Sequence, residues 1–133
     1  MRLLLDTHLL LWAVAEPDRL DSITRAALED PENEVLFSAA SIWEIAIKSR
    51  LGRLDFAFRP QEILLAAQET GFVELPVRAR ATTLVADLPL HHRDPFDRLL
   101  IAQAISEPVR LYTTDSLLPP YSELVTLVAK DKG

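Results

Sequence analysis

Five carboxylates, Asp6, Glu44, Asp94, Asp97 and Asp115, each stand beside an apolar run that would carry them to a strand end or a helix face. Asp6 closes Leu3-Leu4-Leu5, and Asp115 follows Leu111-Tyr112-Thr113-Thr114. Asp94 and Asp97 open the helical run Phe96-Asp97-Arg98-Leu99-Leu100-Ile101-Ala102. The chain has three histidines and no cysteine, so its donor set is rich in oxygen. Hard divalent cations such as Mg²⁺ and Mn²⁺ take such ligands while keeping several waters. If the acids converge, the chemistry they suit is metal-assisted attack of water on a phosphodiester.

Each acid also has a structural alternative. Asp6 suits the N-cap of the helix that follows it. Asp94-Pro95 has the form of an N-cap with proline in the first turn, and Asp97 then falls where an acid favours the helix dipole. Asp97 continues into a core-packing helix, which makes it the better metal ligand and Asp94 a cap or a support. Asp115 suits a cap ahead of Ser116-Leu117-Leu118. Glu44 lies in a helix where Ala39, Ile42, Trp43, Ala46 and Ile47 repeat with helical period and form the expected core face. Ser41, Glu44 and Lys48 then make a narrow polar stripe, which is either an exposed Glu-Lys pair or a wall of a cavity. On so apolar a helix, the cavity is favoured.

Other polar residues fall around these acids. Thr7, Ser38, Ser41 and Thr114 are hydroxyls suited to orienting the carboxylates by hydrogen bonds, or equally to capping and turns. Lys48, Arg93 and Arg98 lie within a turn of the acids; each reads first as a solvated surface charge and second as a candidate for flanking phosphates, Arg98 foremost. His92 could shuttle a proton, but the chemistry does not require it, and it reads as an exposed loop histidine. Trp12 and Trp43 read as packing residues.

Strands and helices must alternate to bring such distant acids together. Leu3–Leu5, Val35–Phe37, Phe72–Leu75 and Arg110–Thr113 read as short buried strands, with Leu124–Ala129 as a last edge strand. Helices are expected from about His8 to Ala15, from the Asp21-Ser22 cap through Leu28, and from the Ser38 cap to about Arg50, ended by Gly52. Further helices run from Gln61 to Glu69, stopped by Gly71, from Val77 to Ala86, and from Asp94-Pro95 onward, with His91-His92-Arg93 as a loop. This order predicts a three-layer α/β/α fold around a central, mainly parallel sheet, as one domain over residues 1–133. Ligands in such sheets collect beyond the carboxyl ends of the strands, where both Asp6 and Asp115 fall.

Composition sets the outer bounds. With 49% hydrophobic and 26% charged residues, the chain is ordinary for a globular domain. Absence of cysteine excludes a disulfide scaffold or a zinc-thiolate site. Asp6, His8 and Glu16 interrupt the opening apolar run too early for a leader or a membrane span, so a cytoplasmic location is expected. A net charge of −6 argues against a broad, metal-free coat for nucleic acid. It does not argue against a metallonuclease, because bound divalent ions offset it and local charge guides a phosphate.

Four segments, in order, resemble the PIN-domain ribonucleases, in particular the VapC-type toxins of toxin–antitoxin pairs. They are Leu3-Leu4-Leu5-Asp6-Thr7-His8, the helix Ser38 to Lys48, His92-Arg93-Asp94-Pro95-Phe96-Asp97-Arg98 through Ala104, and Thr113-Thr114-Asp115. The resemblance implies that acids matching Asp6, Glu44, Asp97 and Asp115 hold Mg²⁺ or Mn²⁺, with Asp94 as an additional acid close to the metal or capping its helix. It also implies an RNA substrate, a homodimer and a VapB-type antitoxin that blocks the site. Rival classes fit less well. A haloacid-type phosphatase needs a second acid two residues after the first, where this chain has His8, and a receiver domain needs a phosphoacceptor where it has Phe37-Ser38. A catalytically silent PIN-like binding module would be marked by missing acids, and none is missing.

Overall fold

The first strand, β1 (Arg2–Leu5), is three leucines after a charged residue, and all three are buried because helices cover both faces of the sheet. The computed structural model describes residues 1–129; residues 130–133, part of the expected domain, lie outside the described residues. β2 (Glu34–Ser38), β3 (Val73–Leu75), β4 (Arg110–Thr113) and β5 (Val125–Leu127) complete one sheet in the order β3-β2-β1-β4-β5. All four pairings are parallel, so the sheet is wholly rather than mainly parallel.

Alternation along the strands divides the core in two. Leu3, Leu5, Val35 and Phe37 pack beneath α1 (Thr7–Ala15) and α4 (Pro60–Thr70), with Ile45 of α3 (Ala39–Arg50) and side chains of α2 (Ser22–Glu29) joining them. Leu4, Leu36 and Leu111 face the other way, onto Leu100, Ile101 and Ala104 of α6 (Pro95–Ser106), against which α5 (Ala79–Leu84) packs. The result is the expected three-layer α/β/α arrangement. Among the described residues no helix is long and apolar enough to cross a membrane.

Local chemistry sets the helix ends. Asp6, Asp21, Ser38 and Asp94 cap α1, α2, α3 and α6 by accepting backbone N–H groups. Gly71, at φ 95°, ends α4 in the left-handed region that a side chain would resist.

One helix is rotated relative to the sequence expectation. On α3 the buried residues are Ala40, Ser41, Glu44 and Ile45, while Trp43 is 60% exposed and meets Phe96 edge to face. The polar stripe is therefore the inward face, and Trp43 is not a core residue. Apolar periodicity misplaces this helix because its inner side borders a polar cleft as well as the core. Trp12, in contrast, is buried as expected, with the Arg19 guanidinium over its ring.

Candidate active site

The strand order places the site. The chain builds outward from β1 through β2 to β3, then returns to add β4 on the other side of β1, which makes β1/β4 the switch point of the sheet. Crevices open at such points beyond the carboxyl ends of the strands. Asp6 is the first residue after β1, and Asp115 lies two residues beyond β4. A cavity of about 270 Å³ at this point is lined by all five acids, Asp6, Glu44, Asp94, Asp97 and Asp115. Thr7, His8, Lys48, Arg53, His92 and Thr114 complete its wall.

Asp6 is buried and held on both oxygens. Its Oδ1 accepts the Leu9 N–H at 2.8 Å, as the cap of α1, and its Oδ2 accepts the Thr113 hydroxyl at 2.6 Å and the Thr114 N–H at 3.3 Å. The cap and the cleft carboxylate are thus one group. Burial pushes its pKa above the ordinary range, and the hydrogen bonds from Thr113 and Leu9 oppose that shift.

Glu44 reaches the cleft from the inward face of α3. Thr7 donates to its Oε1 at 2.6 Å and also lies 2.9 Å from the Ser41 hydroxyl, while the Lys48 ammonium pairs with its Oε2. Lys48 Nζ also stands 3.9 Å from Asp94 Oδ2 and lies over the Phe56 ring. Asp94 caps α6, its Oδ1 accepting the N–H groups of Phe96 at 2.8 Å and Asp97 at 3.2 Å. Its second oxygen is left toward Lys48 and the cleft.

Asp97 and Asp115 meet across His92. The imidazole Nε2 lies 2.9 Å from Asp97 Oδ2 and 3.3 Å from Asp115 Oδ2. Burial, followed by the negative charges of Asp94 and Asp6, pushes the Asp97 carboxyl up to about 7, against the opposing pull of His92. Asp115 spends its other oxygen on the Leu117 N–H at 2.9 Å.

Such a cluster of acids fits a divalent cation. The oxygen donors are those Mg²⁺ and Mn²⁺ take. Burial first, and then the charges of Asp94 and Asp6, disfavour the ionised Asp97 carboxyl, and a cation among these acids would offset both.

Several sequence-derived residues sit differently. Ser38 caps α3 and donates to Gln103 Oε1 at 2.6 Å; it is buried and is not among the residues that line the cleft. Thr114 reaches Asp6 through its backbone N–H; the hydroxyl that does so belongs to Thr113. Arg93 is exposed. Arg98 does not extend a guanidinium toward a phosphate: its two terminal nitrogens bond the carbonyls of Val85, Leu88, Pro89 and His92 and the Tyr121 hydroxyl, at 2.9–3.4 Å. It clamps the loop before α6.

Sequence reasoning also passed over residues that belong to the site. Thr113 is buried in β4 and reads as an ordinary strand threonine; only its register opposite β1 brings it to Asp6. Arg53 lines the cleft from the turn after α3, and Asp55, outside the cleft, holds it: Asp55 Oδ2 lies 3.3 Å from His8 Nε2 and 3.2 Å from the Arg53 guanidinium. Nothing local in sequence signals that contact. His92 stands between two acids rather than in solvent, a placement readable only once Asp115 is known to lie beside Asp97.

Comparison with known proteins agrees with this architecture. The family model described as the PIN domain matches residues 3–121. Ribonuclease VapC22 of Mycobacterium tuberculosis is 34% identical over 118 residues, which cover 86% of this chain and 88% of that protein. Among solved structures, VapBC2 from Rickettsia felis bound to a DNA fragment from their promoter superposes with a TM-score of 0.70 at 17% identity, covering 98% of this chain and all of the other. A domain of a functionally unknown protein from Methanocaldococcus jannaschii gives a TM-score of 0.62 at 15% identity, covering 99% and 94%. These last two likenesses concern the fold alone.

Proposed function

This chain belongs to the PIN-domain family, on its VapC-type branch, and from that premise we propose that it is a divalent-metal-dependent endoribonuclease acting as the toxin of a toxin–antitoxin pair. The observation that carries this reading is the gathering of Asp6, Glu44, Asp94, Asp97 and Asp115 around one cavity at the β1/β4 switch point. The ribonuclease name of the Mycobacterium relative supports the substrate class. The fold neighbour from Rickettsia felis is a VapBC protein, which suggests the kind of partner, a VapB-type antitoxin. A homodimer, a cytoplasmic location and a single domain spanning the whole chain remain part of the proposal.

Asp6, Glu44, Asp97 and Asp115 would hold Mg²⁺ or Mn²⁺, with Asp94 beside them as cap and additional acid. A bound divalent ion supplies Lewis acidity toward the scissile phosphate and lowers the pKa of the attacking water. The protein contributes preorganised ligands. Thr113 and the Thr114 N–H fix Asp6, and Thr7 fixes Glu44, so neither carboxylate must reorient when substrate arrives. Lys48, which stands among the acids, and the exposed Arg93, next to Asp94 in sequence, are suited to phosphates flanking the cleavage point. Arg98 acts indirectly, by holding the loop that carries His92. No acid of the set is missing, so nothing favours a silent binding module.

The test is end chemistry. Purified protein is incubated with total RNA in Mg²⁺ or in EDTA, and fragment ends are mapped. Fragments with 5′-phosphate and 3′-hydroxyl ends, formed only with the metal, are expected. Cleavage that persists in EDTA, or that leaves 5′-hydroxyl ends, would overturn the mechanism.

A further inference from the structure

The metal-nuclease reading leaves one placed side chain without a task. His92 Nε2 lies 2.9 Å from Asp97 Oδ2 and 3.3 Å from Asp115 Oδ2, with the ring less than a fifth exposed. Its donor atom and one oxygen each of Asp94 and Asp97 all lie within 4.8 Å of one another. We propose that His92 is a nitrogen ligand of the divalent ion, completing a mixed imidazole–carboxylate set with Asp97 and Asp115. The inference rests on the metal-site reading above and goes beyond its all-oxygen ligand set.

Two observations carry it. Adjacent ligands around an ion with bonds of about 2.1 Å stand about 3.0 Å apart in octahedral geometry, which is the spacing found from Nε2 to both carboxylate oxygens. Without an ion, an Nε2–H shared between the two oxygens accounts for the same distances. A lone pair directed at a cation between them serves all three groups at once.

The histidine is also held from behind. Its backbone N–H donates to the Tyr121 hydroxyl at 2.8 Å, and Arg98 Nη1 lies 3.4 Å from its carbonyl and 3.2 Å from that hydroxyl. Its backbone is thus fixed independently of the acids, as a metal ligand requires. The chemical consequence is selectivity. An imidazole donor raises affinity for first-row transition ions far more than for Mg²⁺, which prefers oxygen.

The test uses the full chain, stripped with EDTA and reloaded with Mn²⁺, and reads pulsed electron paramagnetic resonance of the bound ion. Nitrogen-14 modulation from a directly bound imidazole is expected in the wild type. It should vanish in His92→Gln and survive in His8→Gln, the other histidine lining the cleft. By calorimetric titration His92→Gln should weaken Mn²⁺ by about 10-fold or more and Mg²⁺ by less than about 3-fold. Circular dichroism confirms that both variants fold. Bound Mn²⁺ without nitrogen modulation, or modulation lost in His8→Gln instead, overturns the role of His92 while leaving the carboxylate site intact. No bound Mn²⁺ at all overturns the metal-site reading together with it.

Discussion

Replacing Asp97 with asparagine should stabilise the metal-free protein at alkaline pH, although it removes a proposed ligand. The Asp97 carboxyl is held up to about 7 by burial and by the charges of Asp94 and Asp6, against 3.8 in the unfolded chain. The folded state therefore binds a proton that the unfolded state has released. Its contribution to stability is fully present below about pH 4 and drains away as pH rises through 7. A shift of about 3 units corresponds to a ceiling of about 4 kcal/mol by pH 8. Partial exposure and the nearby His92 reduce this, so a gain of about 1–3 kcal/mol is expected for Asp97→Asn, which keeps the shape without the charge. That gain is about 3–10 °C in Tm for a domain of this size. The assay is thermal unfolding of wild type and variant in EDTA at pH 5 and pH 8, repeated with Mg²⁺. The gap should fall to less than half at pH 5, and Mg²⁺ should stabilise the wild type more than the variant. A variant no more stable than wild type at pH 8, or a gap unchanged by pH, would refute the reasoning.

The site's supports make separate predictions. Thr7→Val removes the hydroxyl on the buried Glu44 Oε1, and should cost about 1–3 kcal/mol in urea unfolding. Arg98→Lys cannot replace a fork that reaches four carbonyls and a hydroxyl; it should lose about 1–3 kcal/mol of stability, whereas a residue that only bound phosphate would lose RNA affinity and no stability. Tyr121→Phe removes the partner of the His92 N–H, and should cost about 0.5–1.5 kcal/mol while weakening Mn²⁺ binding in the same calorimetric titration used for His92.

Much of this molecule is legible in its sequence, for physical reasons that also mark the limits. Strands buried on both faces read as unbroken apolar runs, so β1, β2 and β4 stand out, and the acids after β1 and β4 follow from the strand ends. Capping chemistry is local, and Asp6, Ser38 and Asp94 cap where their residue types say they should. On α3 the polar stripe was legible as the wall of a cavity, but the apolar face was not placed, because periodicity equates apolar with inward. Here Ser41 and Glu44 turn inward to a polar cleft, and Trp43 is left outside. Contacts between distant segments were also hidden. Thr113 meets Asp6 across 107 positions, and the Arg98 guanidinium meets the Tyr121 hydroxyl across 23. Such partners depend on strand register and loop path, which no local pattern encodes.

The central claim is that these acids hold a divalent ion, and anomalous scattering from crystals soaked in Mn²⁺ tests it most directly. The account predicts a peak in the cleft roughly 2.0–2.5 Å from carboxylate oxygens of Asp6, Asp97 and Asp115, lost in crystals of Asp6→Asn. Saturating Mn²⁺ with no peak among these carboxylates, or with its only peak elsewhere on the surface, would contradict it.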